Sequence, residues 1–295
     1  MANKHIELPL VVIVGPTASG KTGLAIELAE RFDGEIICAD SRTVYTGMDI
    51  GTAKPSQADR ARVPHFGLDL VMPGERFSAA DFKIYADKKI QQIRARGHIP
   101  FLVGGTGLYV DAVIFDYQFG GPVDDAMRQK LQHMTFDELY KYCNNNNVTL
   151  PENKNNKRYV IRAIENVGTS PKRSEKPLAS TIIVGIATDK SLLRARIEQR
   201  TEQLFEDGVV GEATMLGKMY GWDNQAMTSN IYRLVRSYLD GEISLDDAKE
   251  KNRTLDWRLA KRQMTWLRRN SFIRWASLGH ANDYLSSQLA IYQEP

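Results

Sequence analysis

The sequence predicts an α/β fold in which a parallel sheet is flanked by helices. Short, largely apolar runs occur at 11–14, 35–39, 100–103 and 181–186, and stretches with helical periodicity follow them. Two of these runs end directly in a glycine-rich turn. Strands that alternate with helices form parallel sheets, because a helix is the usual return path between two parallel strands.

Length and composition set the broad class of the protein. Its 295 residues allow one large or two modest domains, and 42% hydrophobic with 25% charged residues is ordinary for a globular protein. No apolar run approaches the roughly 20 residues of a membrane span, and the polar segment 1–7 predicts no signal peptide. The distant Cys38 and Cys143 favour a reduced compartment. We therefore expect a cytoplasmic protein without membrane contact and, by default, a monomer.

The first strand leads into a phosphate-binding loop of the form Gly-x-x-x-x-Gly-Lys-Thr. The loop residues are Gly15, Pro16, Thr17, Ala18, Ser19, Gly20, Lys21 and Thr22. Its backbone amides and the N-terminus of the helix that follows, at 23–32, favour a bound phosphate. Lys21 is expected to reach the terminal phosphates and the Thr22 hydroxyl to reach Mg²⁺. The core is thus predicted to be P-loop NTPase-like and to bind a di- or triphosphate.

Asp40 directly follows the second strand, so it is expected at the same edge of the sheet as the phosphate loop. A carboxylate there can ligate Mg²⁺ through water, accept a proton or cap the next helix. The segment 43–55 is polar and glycine-rich, which predicts a loop over the site. His65 is expected in another loop, with no assigned role. Ser78 and Asp81 predict the capped start of a helix that ends at Gly97.

The strand at 100–103 ends in Gly104-Gly105-Thr106-Gly107, a second glycine-rich turn. An ordinary phosphate-loop NTPase has an Asp for Mg²⁺ at the end of such a strand. Here backbone donors and the Thr106 hydroxyl take that place. This favours a site that holds phosphate from two sides over an ATPase motor.

The residue pattern divides the chain into three parts. Residues 1–116 are the first part of the core, residues 117–180 an inserted helical subdomain, and residues 181–295 the return to the core with a helical C-terminal region. The insertion carries helical stretches at 125–134, 136–142 and 158–165, with Arg158 and Arg162 on one face of the last. Later helices are predicted at 192–205, 211–220, 231–239, 245–267 and 281–292, with a short edge strand at 272–275.

Basic residues follow two patterns in the C-terminal part. Arg196 and Arg200 share a helix face, which suits either a phosphate or ion pairs with Glu198 and Glu202. The segment 249–274 has nine Lys or Arg residues against two acidic ones. Within it, residues 261–269 interleave basic and aromatic groups, a pattern that can bind RNA or simply form a solvated face.

Nine motifs of this sequence occur together in the tRNA dimethylallyltransferase, or tRNA isopentenyltransferase, family, which the chain resembles over nearly its whole length. They are GPTASGKT at 15–22, ADS at 39–41, GMDIGTAKP at 47–55, FSAADF at 77–82, LVGGTGLY at 102–109, RAIE at 162–165, RIEQR at 196–200, YLDGEIS at 238–244 and KRQMTWLRR at 261–269.

The resemblance implies transfer of a dimethylallyl group from dimethylallyl diphosphate to N6 of adenine 37, in tRNAs that read codons beginning with U. It implies that Asp40 is the general base, that Thr106 assists at the reacting centre and that Arg200 binds the pyrophosphate leaving group. The loop 15–22 would hold the pyrophosphate, with Mg²⁺ at Thr22. No membrane and no obligate protein partner are implied.

The resemblance also implies contacts with the anticodon stem-loop of tRNA. The implied contact residues are Asp40, Ser41, Arg42, Thr43, Thr106, Met127, Arg158, Arg162, Arg233, Lys261, Arg262, Gln263, Trp266 and Arg268. The chain has Asn230-Ile231-Tyr232-Arg233 where family members often carry Gly-Tyr and a basic residue.

Three other functions compete with this interpretation. A small-molecule kinase would share the fold and the phosphate loop, but it offers no role for the basic insertion or for 261–269. An isopentenyltransferase acting on free adenine nucleotides would need no anticodon-binding insertion. A non-enzymatic RNA-binding protein would leave the phosphate loop and Arg200 without a use.

Overall fold

The computed structural model describes residues 7–120, 124–169 and 172–292, so residues 1–6 of the polar N-terminal segment lie outside it. The described residues divide into two compact units. The larger comprises the chain up to Phe115 and from Lys176 onward, and the smaller comprises Asp116–Glu175. The sequence predicts the insertion at 117–180, and the two sets of bounds differ by a few residues.

Within the described residues, six strands form the sheet of the larger unit. They are β1 (Leu10–Val14), β2 (Gly34–Cys38), β3 (His65–Phe66), β4 (Ile99–Gly104), β5 (Thr181–Ile186) and β6 (Arg274–Ala276). Their spatial order is β3-β2-β4-β1-β5-β6, and each neighbouring pair is parallel. β1, β2 and β4 are buried along their whole length, as is typical of parallel strands covered on both faces. The predicted α/β class is confirmed.

Helices connect the strands and form the C-terminal region. In the larger unit they are α1 (Lys21–Arg31), α2 (Gln57–Arg62), α3 (Ala79–Ala95), α4 (Gly107–Ile114), α8 (Lys190–Glu206), α9 (Val209–Tyr220), α10 (Asn230–Leu239), α11 (Leu245–Leu267) and α12 (Leu278–Ala290). In the smaller unit they are α5 (Asp125–His133), α6 (Phe136–Asn145) and α7 (Lys157–Glu165). No helix of the described residues is long and apolar enough to span a membrane.

The predicted start and end of α3 are confirmed. The Ser78 hydroxyl accepts a hydrogen bond from the Asp81 backbone N–H, and the Asp81 carboxylate accepts one from the Ser78 backbone N–H at 2.8 Å. This capping box satisfies two amide groups that the first helical turn leaves unpaired. Gly97 follows the helix with a φ of 83°, a left-handed conformation that glycine adopts at little cost.

Two short elements differ from the sequence-based expectation. His65, expected in a loop, lies in the two-residue strand β3, which pairs with β2. The helix α2 was not predicted, because it is only six residues long and buries none of its side chains. Both elements are too short for hydrophobic periodicity to reveal them.

The strand register brings the carboxyl ends of the central strands together. Val14 at the end of β1 is paired with Gly104 of β4, and Cys38 at the end of β2 is paired with Val103. The segments that follow these strands therefore emerge side by side at one edge of the sheet. This edge carries the phosphate loop, Asp40 and the second glycine-rich turn.

The smaller unit has a core of its own. Its three helices pack around buried residues, among them Leu131, Leu139, Cys143, Val160 and Ile164. The predicted helices at 125–134, 136–142 and 158–165 are thus confirmed, with bounds that differ by one to three residues.

Candidate active site

The phosphate loop joins β1 to α1 through a sharply turned backbone. Ala18 and Gly20 have φ angles of 61° and 89°, both in the left-handed region. The Ser19 backbone N–H donates to the Pro16 carbonyl oxygen at 3.2 Å, which closes the first turn of the loop. The following amides belong to the first turn of α1, where N–H groups have no partner within the helix. The loop therefore offers donors and a helix N-terminus to an anion.

Lys21 is the half-buried cation of this loop. Its Nζ donates to the Pro16 carbonyl oxygen at 3.2 Å. Burial lowers the pKa of Lys21 to about 8, the nearby Asp40 carboxylate opposes this shift, and the positive charge of Arg200 adds to it. A bound polyanion would favour the charged form of this amine.

Arg196 and Arg200 of α8 both reach the phosphate loop. Arg196 donates to the Ser19 carbonyl oxygen at 3.0 Å, and a terminal guanidinium nitrogen of Arg200 donates to the Thr17 hydroxyl. The alternative pairing of these arginines with Glu202 does not form, because Glu202 pairs with Lys249 at 2.5 Å and with Arg253. Both guanidinium groups therefore lie beside the loop.

Two buried polar atoms lie at the phosphate loop, one in the loop and one beside it. Arg200 Nε and Ser19 Oγ have no hydrogen-bond partner among the residues that the structure describes. Buried polar groups are nearly always paired. Phosphate oxygens are suitable acceptors for these two donors.

Asp40 lies beside Thr106 at the ends of β2 and β4. The Ser41 backbone N–H donates to the Thr106 hydroxyl at 3.1 Å, and the Thr106 N–H donates to the Ala39 carbonyl oxygen at 3.3 Å. The Asp40 carboxylate accepts from the Arg42 backbone N–H at 2.8 Å. One carboxylate oxygen is thereby fixed in position, and the structure joins the two predicted residues in one cluster.

Arg42 ties this cluster to the C-terminal helices. Its guanidinium group donates to the carbonyl oxygens of Gln225 at 3.1 Å and Ala226 at 3.4 Å. It also donates to the Thr228 hydroxyl at 3.4 Å. Thr43 is buried and donates to the Asp40 carbonyl oxygen at 3.4 Å. Both side chains have hydrogen-bond partners within the protein. Their contacts with tRNA remain predictions.

The inner face of α11 contacts both glycine-rich turns. Gln263 accepts a hydrogen bond from the Thr17 backbone N–H at 2.8 Å. One helical turn further, the Trp266 indole N–H donates to the Asp111 carboxylate at 2.7 Å, and a methyl group on Gly107 would overlap the indole ring. The two side chains predicted to contact tRNA thus contact the protein itself.

The outer face of α11 is exposed and basic. It lines a concave surface of about 390 Å³, formed by Arg258, Lys261, Arg262, Thr265 and Arg269. Trp266 also lines this surface, because its partly exposed side chain lies at the border between the inner and outer faces. Of the predicted tRNA contacts on this helix, Lys261 and Arg262 are exposed here, and Arg268 is exposed just after the helix. Arg233 is exposed on α10. Such a surface suits a polyanion.

Three predicted tRNA contacts belong to the smaller unit. Arg158 is exposed on α7, while Arg162 lies 3.4 Å from the Glu165 carboxylate. Glu165 also forms a two-pronged ion pair with Arg128. Met127 packs against the core of this unit. Arg158 is therefore the least constrained of the three for contact with RNA.

The arrangement matches a known family of enzymes. The family model described as IPP transferase matches residues 43–270 of the chain. The chain belongs to the IPP transferase family. It is therefore a transferase, as the sequence motifs predict.

Relatives and solved structures of this family are similar along almost the whole chain. The tRNA dimethylallyltransferase of Anoxybacillus flavithermus is 39% identical over 277 residues, covering 90% of this chain and 89% of that protein. The tRNA dimethylallyltransferase of Acetivibrio thermocellus is 39% identical over 284 residues, covering 90% of each. The crystal structure of the tRNA isopentenylpyrophosphate transferase of Bacillus halodurans superposes with a TM-score of 0.73 at 34% identity, covering 96% of this chain and 97% of that one.

Sequence reasoning missed residues that act through distant partners. Glu212 of α9 accepts hydrogen bonds from the backbone N–H groups of Asp49, Ile50 and Gly51 at 2.7–2.8 Å, and from the Tyr232 hydroxyl at 2.7 Å. This carboxylate holds residues 49–51 of the loop predicted at 43–55. Asp256 of α11 is buried, and burial raises its pKa while the positive charge of Arg200 opposes that shift. No local motif marks either residue, since their partners are far away in sequence.

Proposed function

We propose that this chain transfers the dimethylallyl group of dimethylallyl diphosphate to N6 of adenine 37 in tRNAs that read codons beginning with U. The single observation that carries the proposal is the meeting of two groups of residues at one edge of the sheet. A cationic phosphate loop, with Lys21 and Arg200, lies next to a carboxylate–hydroxyl cluster formed by Asp40 and Thr106. The proposed leaving-group site would therefore lie beside the proposed general base.

The loop and its cations stabilise the leaving group. As the bond between C1 of the donor and its oxygen breaks, both electrons of that bond stay on the pyrophosphate. Lys21, Arg200 and the loop amides are positioned to bind this developing charge. The buried, unpartnered Arg200 Nε and Ser19 Oγ supply further donors for it.

Asp40 accepts the proton of the nucleophile. The N6 nitrogen forms its new bond to C1 of the dimethylallyl group and gives up one proton to the carboxylate, so that the product amine is neutral. General-base assistance of this kind contributes about 10²–10⁴-fold to a rate. The hydrogen bond from the Arg42 N–H holds the carboxylate in place. The Thr106 hydroxyl accepts a hydrogen bond from the backbone N–H of Ser41, the residue after Asp40.

The residues of the phosphate loop fit a magnesium ion that is held mainly by the diphosphate group of dimethylallyl diphosphate. Mg²⁺ prefers oxygen ligands and keeps waters and substrate phosphates in its shell, so it needs few protein ligands. Thr22 directly follows Lys21 and is exposed at the start of α1. Its hydroxyl would hold the ion together with pyrophosphate oxygens. When bound, the ion neutralises part of the pyrophosphate charge.

The outer face of α11 and the basic residues of the smaller unit are proposed to bind the anticodon stem-loop of tRNA. Exposed arginines and lysines bind the phosphate backbone. Adenine 37 must leave the stacked loop before its N6 can approach Asp40, which requires base flipping. We expect a monomer to suffice, because the phosphate loop, the proposed general base Asp40 and the basic face of α11 all lie on one chain.

The test is a transfer assay with purified protein, MgCl₂, dimethylallyl diphosphate and tRNA. After nuclease digestion, mass spectrometry should find one added isopentenyl unit on a single adenosine, next to the anticodon. Parallel reactions replace tRNA with AMP, ADP or ATP, or measure ATP hydrolysis. Modified free nucleotides without modified tRNA would support the free-nucleotide enzyme, and ATP-dependent phosphorylation of a small molecule would support a kinase.

A further inference from the structure

The amide side chain of Gln263 is enclosed by the two glycine-rich turns of the site. Its Oε1 accepts the Thr17 backbone N–H at 2.8 Å. A methyl group on Gly105 would overlap Gln263 Nε2 and lie 3.1 Å from the Gly15 carbonyl oxygen. A side chain at position 105 would therefore crowd the Gln263 amide beside the phosphate loop. These contacts place Gln263 on the face of α11 that meets the phosphate loop.

Thr17 is held from two directions at once. Gln263 fixes its backbone N–H, and Arg200 donates to its hydroxyl. Thr17 is buried, with 7% of its surface exposed. Because Thr17 bridges the two side chains, the position of Arg200 depends on the loop conformation that Gln263 stabilises.

The neighbours of Gln263 on the helix face the opposite way. Lys261, Arg262 and Thr265 line the exposed basic surface, whereas Gln263 is only partly exposed and Ala260 and Leu267 are buried. An α-helix repeats its faces every three to four residues, so positions 260, 263 and 267 share the inner face. The basic motif at 261–269 thus contains residues with two different tasks.

From this geometry we infer that Gln263 is a positioning residue of the pyrophosphate site and not a contact to tRNA. It acts through Thr17 on Arg200, so its loss weakens binding of the leaving group while the RNA surface stays intact. The inference rests on the proposed function, since it assigns pyrophosphate to the loop and tRNA to the outer face. It departs from the tRNA contact that the family motif implies for this residue.

The test compares two equilibrium dissociation constants, for inorganic pyrophosphate with Mg²⁺ and for tRNA, without turnover. Gln263→Met keeps the length of the side chain and removes the acceptor for Thr17. We expect its pyrophosphate Kd to rise about two- to tenfold, the usual worth of one hydrogen bond, and its tRNA Kd to stay within about twofold. Arg262→Ala, one position away on the outer face, should give the reverse pattern.

A double-mutant cycle tests the route through Thr17. In an Arg200→Lys background the charge remains but the directed donor is altered, so Gln263→Met should raise the pyrophosphate Kd by a smaller factor than in the wild type. Equal factors in the two backgrounds would overturn the route. A raised tRNA Kd, equal losses for both ligands or no change in either would overturn the assignment itself. Failure of the wild type to bind pyrophosphate would instead count against the proposed function.

Discussion

The backbone N–H of Ser41 donates a hydrogen bond to the side-chain hydroxyl of Thr106 at 3.1 Å, across 65 residues of sequence. This bond joins the segment that follows β2 to the turn that follows β4. Asp40 precedes Ser41, so the same bond fixes the position of the proposed general base. The hydroxyl of Thr106 thus has a structural role beside the proposed general base.

The Ser41–Thr106 bond leads to a prediction for Thr106. Thr106→Val leaves the Ser41 N–H without its partner, and we expect kcat to fall about two- to tenfold or more, since one net hydrogen bond is worth roughly 0.5–1.5 kcal/mol. Thr106→Ser keeps the hydroxyl and should retain most of the activity. Steady-state transfer rates at saturating substrates measure both, and similar rates for the two variants would contradict a role of the hydroxyl.

Asp40→Asn is expected to lower kcat by about 10²–10⁴-fold, because the amide cannot accept the N6 proton. The side chain keeps its shape and can still accept from the Arg42 N–H, so tRNA affinity should change little. Single-turnover transfer and tRNA binding by filter retention provide the two readouts. Transfer close to the wild-type rate would remove Asp40 from the role of general base.

The lowered pKa of Lys21 predicts that binding of dimethylallyl diphosphate weakens at alkaline pH. Its pKa is lowered to about 8, so the free enzyme loses this positive charge as the pH rises through about 8. We expect kcat/KM for dimethylallyl diphosphate to fall above this pH, because that profile reports groups of the free enzyme. Lys21→Arg should remove this limb, since arginine stays charged. If kcat/KM of the arginine variant still falls above this pH, a group other than Lys21 causes the fall.

Arg262 is expected to contact a phosphate of the RNA backbone. Arg262→Ala should weaken tRNA binding and reduce the slope of log K against log salt by roughly 0.7–0.9, the effect of one phosphate contact. Titrations at several salt concentrations measure the slope. Lys88→Ala, an exposed lysine of α3, is the matched control and should leave the slope unchanged. An unaltered slope in Arg262→Ala would place Arg262 away from the phosphates.

Glu212→Ala should destabilise the fold by about 2–4 kcal/mol, because three backbone N–H groups and the Tyr232 hydroxyl lose their acceptor. Urea unfolding followed by circular dichroism measures the loss. The exposed Glu198 of α8 offers a control, and Glu198→Ala should stay within about 0.5 kcal/mol of the wild type. Equal stability of the two variants would show that the segment 49–51 does not need Glu212.

The tertiary structure separates residues that one sequence motif groups together. KRQMTWLRR reads as a single basic and aromatic segment, yet Gln263 contacts the phosphate loop, the Trp266 indole N–H contacts Asp111, and Arg262 is exposed. The periodicity of a helix tells which residues share a face. It does not tell which of the two faces meets the phosphate loop.

Local chemistry was enough to determine the frame of this protein from its sequence. Apolar runs, glycine turns and caps act over a few residues, so β1, β5, the start of α3 and the whole of α11 were predictable. Only the tertiary structure decided the partners of Thr17, which lies 246 residues from Gln263, and of Glu212, which holds 49–51 from α9. Such contacts depend on which elements pack against each other, and local periodicity marks a buried face without naming its partner.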